Sequence, residues 1–263
     1  MLSPRIIPCL LLSDDGLVKT QKFSSPKYVG DPINAIRIFN EKEVDELMVL
    51  DIDATTCNIE PNYSKIKKFA AECRMPLCYG GGIKTVQQAR QVISLGVEKI
   101  AISSGALSEL SLIRSLAAEF GSQSVVVVLD VKKDLFGKYK VFTHNGKKVT
   151  RFELMSLLLQ IQNHGAGEIV INSIDRDGLS IGYDLKLANR IKNHISIPLT
   201  MLGGAGGLED IEKLISENGI IGSAAGSLFV FKGVYRAVLI NYPDRNTRIN
   251  LIKNALKKRS EIL

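Results

Sequence analysis

Two kinds of apolar pattern alternate along this chain. Short continuous runs read as buried strands closed by glycine, serine or aspartate: "IIPCLLL", "LMVLDIDA", "PLCYGGGI", "KIAISSGAL", "SVVVVLDV", "EIVINSIDRDG", "PLTMLGGAG" and "GSAAGSLF". Between them, in stretches such as "SKIKKFAAECR", "TVQQARQVISLG", "ELSLIRSLAAEFG" and "LEDIEKLISENG", apolar residues return at helical spacing. Eight strands, each followed by a helix, predict parallel strands joined by right-handed crossovers. Over 263 residues the expectation is one α/β domain spanning 1–263, a (β/α)8 TIM barrel, with an open doubly wound sheet as the alternative.

The chain also repeats itself. "DELMVLDIDAT" from Asp45 overlies "GEIVINSIDRD" from Gly167. "CYGGGIKTVQQARQVISLG" overlies "TMLGGAGGLEDIEKLISEN", and "AISSGAL" overlies "SAAGSLF". Positions 45 and 167, 78 and 200, and 101 and 223 are paired, an offset of 122 in each case. One offset across three motifs predicts two (βα)4 half-barrels, about 1–122 and 123–263. "KYKVFTHNGKKV" breaks the pattern. Its strand-like alternation around Asn145-Gly146, the preferred residues of a two-residue turn, predicts a β-hairpin inserted after strand five. "SDDGLVKTQKFSSPKYVGDP" is expected to be the corresponding long loop after strand one.

Composition narrows the function. The hydrophobic fraction of 45% supports a packed core. No apolar run approaches the ~18 residues that span a bilayer, and "MLSPRII" lacks a signal-peptide pattern, so a cytoplasmic protein without membrane contact is expected. Cys9, Cys57, Cys73 and Cys78 form no CxxC pair and have no histidine at zinc spacing, so reduced thiols, no metal and no cofactor are expected. His144, His164 and His194 have no evident partners and read as ordinary. A net charge of +7 suits acidic partners: a phosphorylated ligand, a nucleotide-sugar or an acidic subunit. Nucleic acid is not expected, because the lysines are dispersed and there is no tryptophan.

The repeat supplies two similar anion sites. Gly81-Gly82 with Ser103-Ser104, and Gly203-Gly204 with Gly226-Ser227, stand at strand ends, where backbone N–H groups approach an anion closely. Two matched cradles predict an elongated ligand with a negative group at each end.

The stretches "RIIPCL", "LVK", "GDP", "DELMVLDI", "YGGGI", "FGSQSVVV", "GAGEI", "SIDRDGLSIGYDL" and "GGAG" resemble the cyclase subunit of imidazole glycerol phosphate synthase along nearly the whole chain. The resemblance implies a barrel that receives ammonia from a glutaminase on its N-terminal face and delivers it to the C-terminal face. It implies an ammonia gate of Arg5, Glu46, Lys99 and Glu168. It implies substrate- and phosphate-binding roles for Lys19, Asp51, Gly82, Ser103, Ser104, Asp177, Gly178, Gly204, Gly226 and Ser227. In this family two carboxylates act as general acid and base. Asp130 matches the second; the first falls on Leu11, which transfers no proton. Asp14 and Asp15 are the nearest carboxylates that could substitute. Leu202 and Ser103-Ser104 are further departures from the family pattern.

"PCLLL", "DGLVKT", "KYVGDPINA", "FNEKEVDEL", "DVKK" and "AAGSLFVFKGVYRAVLINYP" are similar to a divergent branch from surface-polysaccharide clusters. That resemblance implies work beside a glutaminase and, on the C-terminal face, an ATP-dependent amidotransferase that converts an acetamido to an acetamidino group on a nucleotide-activated sugar. The alternatives are a genuine cyclase of histidine biosynthesis and a non-catalytic scaffold.

Overall fold

Each apolar run becomes a strand whose successive side chains point to opposite faces. The computed structural model describes residues 3–233 and 235–262; residues 1, 2, 234 and 263 lie outside it. In chain order the barrel elements are β1 (Arg5–Ser13), α1 (Pro32–Glu41), β2 (Leu47–Asp51), α2 (Tyr63–Glu72), β3 (Leu77–Gly80), α3 (Val86–Ser94), β4 (Lys99–Ile102) and α4 (Ser111–Phe120). The second half follows with β5 (Val125–Lys133), α5 (Leu154–Asn163), β6 (Glu168–Ser173), α6 (Leu185–Lys192), β7 (Leu199–Leu202), α7 (Leu208–Asn218), β8 (Gly222–Ala225) and α8 (Arg245–Ile262). Neighbouring strands pair in parallel, β1 pairs with both β2 and β8, and β5 pairs with β6, so the eight strands close into the expected (β/α)8 barrel.

Both faces of these strands are buried along most of their length, which is why they read as continuous apolar runs rather than alternating ones. Ile6, Leu47, Tyr79 and Ile100 face outward and pack under the helices. Their neighbours Ile7, Met48, Cys78 and Ala101 face inward and fill the barrel with Val126, Val170 and Ala224. Helix starts are set by local chemistry. Asp31 caps α1 by accepting from the Asn34 N–H at 2.8 Å, with Pro32 in the first turn. Thr85 and Gln88 form a capping box on α3. Among the described residues no helix is long and apolar enough to cross a membrane.

The expected long loop after β1 is instead a second hairpin. After a turn at Asp14 (φ 52°) the chain returns antiparallel over Gly16–Gln21 and folds again over Ser24–Gly30. Leu17, Val18, Lys19 and Thr20 are buried on this return, so tertiary cover orders it. The hairpin after β5 is present as expected, over Tyr139–Thr143 and Lys148–Glu153. Its loop has four residues, 144–147, rather than the two expected, and His144, Asn145 and Gly146 all take positive φ. A contact outside the hairpin accompanies this shape: the Asn145 side-chain amide donates to the Ile52 carbonyl at 2.8 Å. Tyr139 Oη donates to Asp184 at 2.9 Å, and Asp184 caps α6, so the hairpin is pinned to the helix start beside it. Leu11 and Asp130 therefore do not end their strands. Each lies where a barrel strand runs on into antiparallel pairing, Leu11 with Val18 and Asp130 with Phe142.

Candidate functional site

Parallel strands place all their N-termini at one end of the barrel. Arg5, Lys99 and Glu168 open their strands and Glu46 directly precedes β2, so four residues distant in sequence meet there. Arg5 reaches Glu46 at 2.5 Å and Glu168 at 2.8 Å; Lys99 reaches Glu46 at 2.9 Å and Glu168 at 3.1 Å. The ring alternates in sign and balances two charges against two. Thr200, a buried residue that the sequence did not single out, donates its hydroxyl to Glu168 at 2.6 Å. Its only signal was a hydroxyl inside the apolar run "PLTML". Burial disfavours the Glu168 charge, yet Arg5 and Lys99 hold its carboxyl below the usual range. Burial likewise opposes the charge on Lys99, and the two glutamates overcome it and raise its pKa.

Above the ring the barrel interior is apolar. Ile7, Met48, Ala101, Val126, Val128, Val170 and Ala224 pack there with Cys9 and Cys78. Burial pushes the Cys9 thiol up to about 11 and the Cys78 thiol well above its usual value, so both stay neutral. A small neutral solute such as ammonia enters such an interior far more cheaply than its cation.

At the C-terminal end the barrel opens into a cavity of about 1270 Å³, counting the part open to solvent at its mouth. Both predicted cradles line it, with Gly81, Gly82, Ser103 and Ser104 from one half and Gly203, Gly204, Gly226 and Ser227 from the other. Gly82 has φ +73°, and a Cβ there would lie 2.8 Å from the Ile59 carbonyl oxygen, so the loop requires glycine. Lys19, Asp51, Asp130, Asp177 and Gly178 also line the cavity, together with the leucines Leu11, Leu50 and Leu202.

Several of these side chains hold the cavity wall together. Asp51 accepts the N–H groups of Asp53 and Ala54, each at 3.0 Å, and shapes the loop after β2. Asp177 accepts from Thr20 Oγ1 at 2.7 Å and from the Phe23 N–H at 3.2 Å, which ties the first hairpin to the loop after β6. Lys19 is buried and donates to the Cys9 carbonyl at 2.5 Å; burial lowers its pKa. Asp14 and Asp15 do not line this cavity, and Asp15 is exposed and pairs with Lys65. His144, which read as ordinary, lies in the cavity wall beside Asn145, because the hairpin folds over the barrel mouth. Among the described residues no three His, Cys, Asp or Glu side chains cluster as a metal site.

Asp130 is the principal acid–base candidate. Asn172 Nδ2 donates to it at 3.1 Å from the adjacent position on β6. Burial pushes its carboxyl up to about 7; Asn172 opposes the shift and the charge of Asp177 adds to it. Asp130 is therefore balanced between acid and base near neutrality. The folded pKa lies above the unfolded 3.8, so ionisation costs stability increasingly as pH rises from about 4 to 7. Asp130→Asn is expected to raise the melting temperature at pH 8 and to have little effect near pH 4. Equal shifts at both pH values would mean that the carboxyl is not strained by its surroundings.

The family described as histidine biosynthesis protein matches residues 5–236. The chain is 56% identical to "Putative imidazole glycerol phosphate synthase subunit HisF" of Leptospira borgpetersenii, across 93% of this chain and 96% of the relative. It is 54% identical to "Putative imidazole glycerol phosphate synthase subunit hisF2" of Pseudomonas aeruginosa, across 94% and 98%. It is 38% identical to "Imidazole glycerol phosphate synthase subunit HisF" of Alkaliphilus metalliredigens, across 89% and 93%.

Proposed function

The chain belongs to the histidine biosynthesis protein family, as a HisF-like barrel, and on that premise we propose that it is an ammonia-conducting subunit whose partner performs the chemistry. A glutaminase docks on the N-terminal face and releases ammonia at the ring of Arg5, Glu46, Lys99 and Glu168. The neutral molecule crosses the apolar interior. An ATP-dependent amidotransferase on the C-terminal face uses it to convert an acetamido to an acetamidino group on a nucleotide-activated sugar.

One observation carries this reading: the two ends of the barrel are unequal. The charged ring is complete and internally satisfied. The opposite cavity holds Asp130 but has Leu11 where the family resemblance puts a second acid; Leu50 pairs with Leu11, and Leu202 lines the same cavity. A cyclisation that moves protons between carbon and nitrogen needs an acid and a base of different strength. Asp51 and Asp177 are engaged in holding loops, so Asp130 is left without a partner acid for that exchange, whereas a conduit has no need of the pair.

The test uses the isolated protein with excess ammonium at alkaline pH and the cyclase family's substrate, the ribulosyl-formimino carboxamide ribotide. No imidazole glycerol phosphate is expected. Turnover on the order of one per second would establish a genuine cyclase and overturn the relay. The positive arm adds the glutaminase, the amidotransferase, ATP, glutamine and an acetamido nucleotide-sugar. There the amidine should form from glutamine only when the barrel is present.

A further inference from the structure

The two cradles are related by the repeat, so an elongated ligand with a phosphoryl group at each end could enter either way round. One feature breaks that equivalence. After the one-turn helix Ser227–Val230 the chain makes a small antiparallel pair, Phe231–Lys232 with Ala237–Val238, and Arg236 lies on the turn between them. The first half has no such pair: Ser104–Ser108 is followed almost at once by α4.

Arg236 reaches back to the second cradle. Its Nη1 donates to the Gly178 carbonyl at 2.9 Å and its Nη2 to Ser227 Oγ at 3.4 Å. Its guanidinium lies 4.8 Å from the centre of the Phe231 ring, and the Lys27 ammonium stands 5.2 Å from the same ring. Lys19 is close by, since a Cβ on Gly226 would collide with its ammonium. The charge of Arg236 is felt within the cavity: burial raises the Asp177 pKa, and Arg236 is among the groups that oppose the rise. Lys19 and Arg236 thus both stand at this end, beside Asp177. At the other end Lys84 is exposed and its ammonium is held by the Asn58 side chain.

We propose that Arg236 is the anion clamp of the second cradle and sets the polarity of the site, so that the more highly charged phosphoryl end of the ligand binds at Gly204, Gly226 and Ser227. A guanidinium has five donors in a planar fork and suits a phosphoryl dianion. Two N–H contacts to protein position the fork without exhausting it. The proposal rests on reading the cradles as phosphate sites and is independent of the passage of ammonia.

The test is calorimetric titration of inorganic phosphate into the wild-type protein and the variants Arg236→Gln, Arg236→Lys and Lys84→Gln. The wild type should show two unequal sites. Arg236→Gln should weaken the tighter one about tenfold or more, the scale of a lost charge-assisted hydrogen bond. Arg236→Lys should recover part of that loss, and Lys84→Gln should touch only the weaker site. The preference should also grow as the pH rises through neutrality, where inorganic phosphate gains its second charge. Tight binding that survives Arg236→Gln, or equal weakening of both sites, would overturn the clamp and leave the cradles standing. An absence of phosphate binding in the wild type would overturn the cradle reading, and the clamp with it. Melting curves without phosphate separate this role from mere anchoring of the turn, because anchoring would lower stability in Arg236→Lys as much as in Arg236→Gln and leave the pH trend unchanged.

Discussion

Glu168→Ala is expected to destabilise the protein by roughly 3–5 kcal/mol, the cost of removing one partner from a buried ionic network. Glu168 accepts from Arg5, Lys99 and Thr200, and its removal leaves two cations sharing Glu46. The folded carboxyl titrates below its unfolded value of 4.5, so its contribution is present above that pH and is lost as pH falls through the folded value. The gap between wild type and variant in chemical denaturation should therefore be widest at neutral pH and close in acid. Glu168→Gln, which keeps an acceptor for Arg5 and Thr200, should lose less. A loss below ~1 kcal/mol at neutral pH would reduce the ring to an ordinary surface ion pair. Under the proposed relay, with the glutaminase and amidotransferase added, Glu168→Ala should cut glutamine-driven transfer while transfer from added ammonium survives, because only the first route would cross the ring.

Leu11→Asp carries the second large effect. Leu11 packs with Leu50 on the inner apolar cluster and lines the same cavity as Asp130, whose carboxyl already titrates near 7. A second carboxyl in that setting replaces apolar packing with a poorly solvated charge, and the pair will titrate together with one member raised further. The variant is expected to lose ~2–4 kcal/mol at pH 8. The loss should shrink toward pH 5, because a raised folded pKa costs stability only as pH climbs above the unfolded value. Leu11→Asn separates lost packing from added charge, since only the aspartate should show this pH dependence. No cyclase turnover is expected from Leu11→Asp, because Leu202 and Ser103-Ser104 still depart from the family pattern in the same cavity. A variant that turns over the ribotide would instead identify Leu11 as the sole defect.

The barrel was legible because its signals are local or periodic. Strands buried on both faces leave unbroken apolar runs, amphipathic helices leave a helical period, and one repeat of about half the chain leaves a constant offset. The first hairpin was not legible. Its outer strand, "SSPKYVG", is largely exposed and has little alternation, and only the cover over Lys19 and Thr20 orders its partner. Thr200 and Arg236 escaped notice for a related reason. A threonine in a strand and an arginine in a turn are common, and what distinguishes them is a neighbour far along the chain, Glu168 for one and Gly178 for the other.

By itself the sequence determined the eightfold alternation, the repeat at one offset, the glycine and serine pairs at strand ends, and a leucine at position 11. Each is written in residue type and spacing. Only the tertiary structure decided that four distant charges neutralise one another at the barrel floor, that Asp51 and Asp177 are engaged in holding loops, that Asp14 and Asp15 stay outside the cavity, and that His144 belongs to its wall. Those outcomes depend on barrel closure. Closure brings the ends of all eight strands together and fixes the burial that sets each charge.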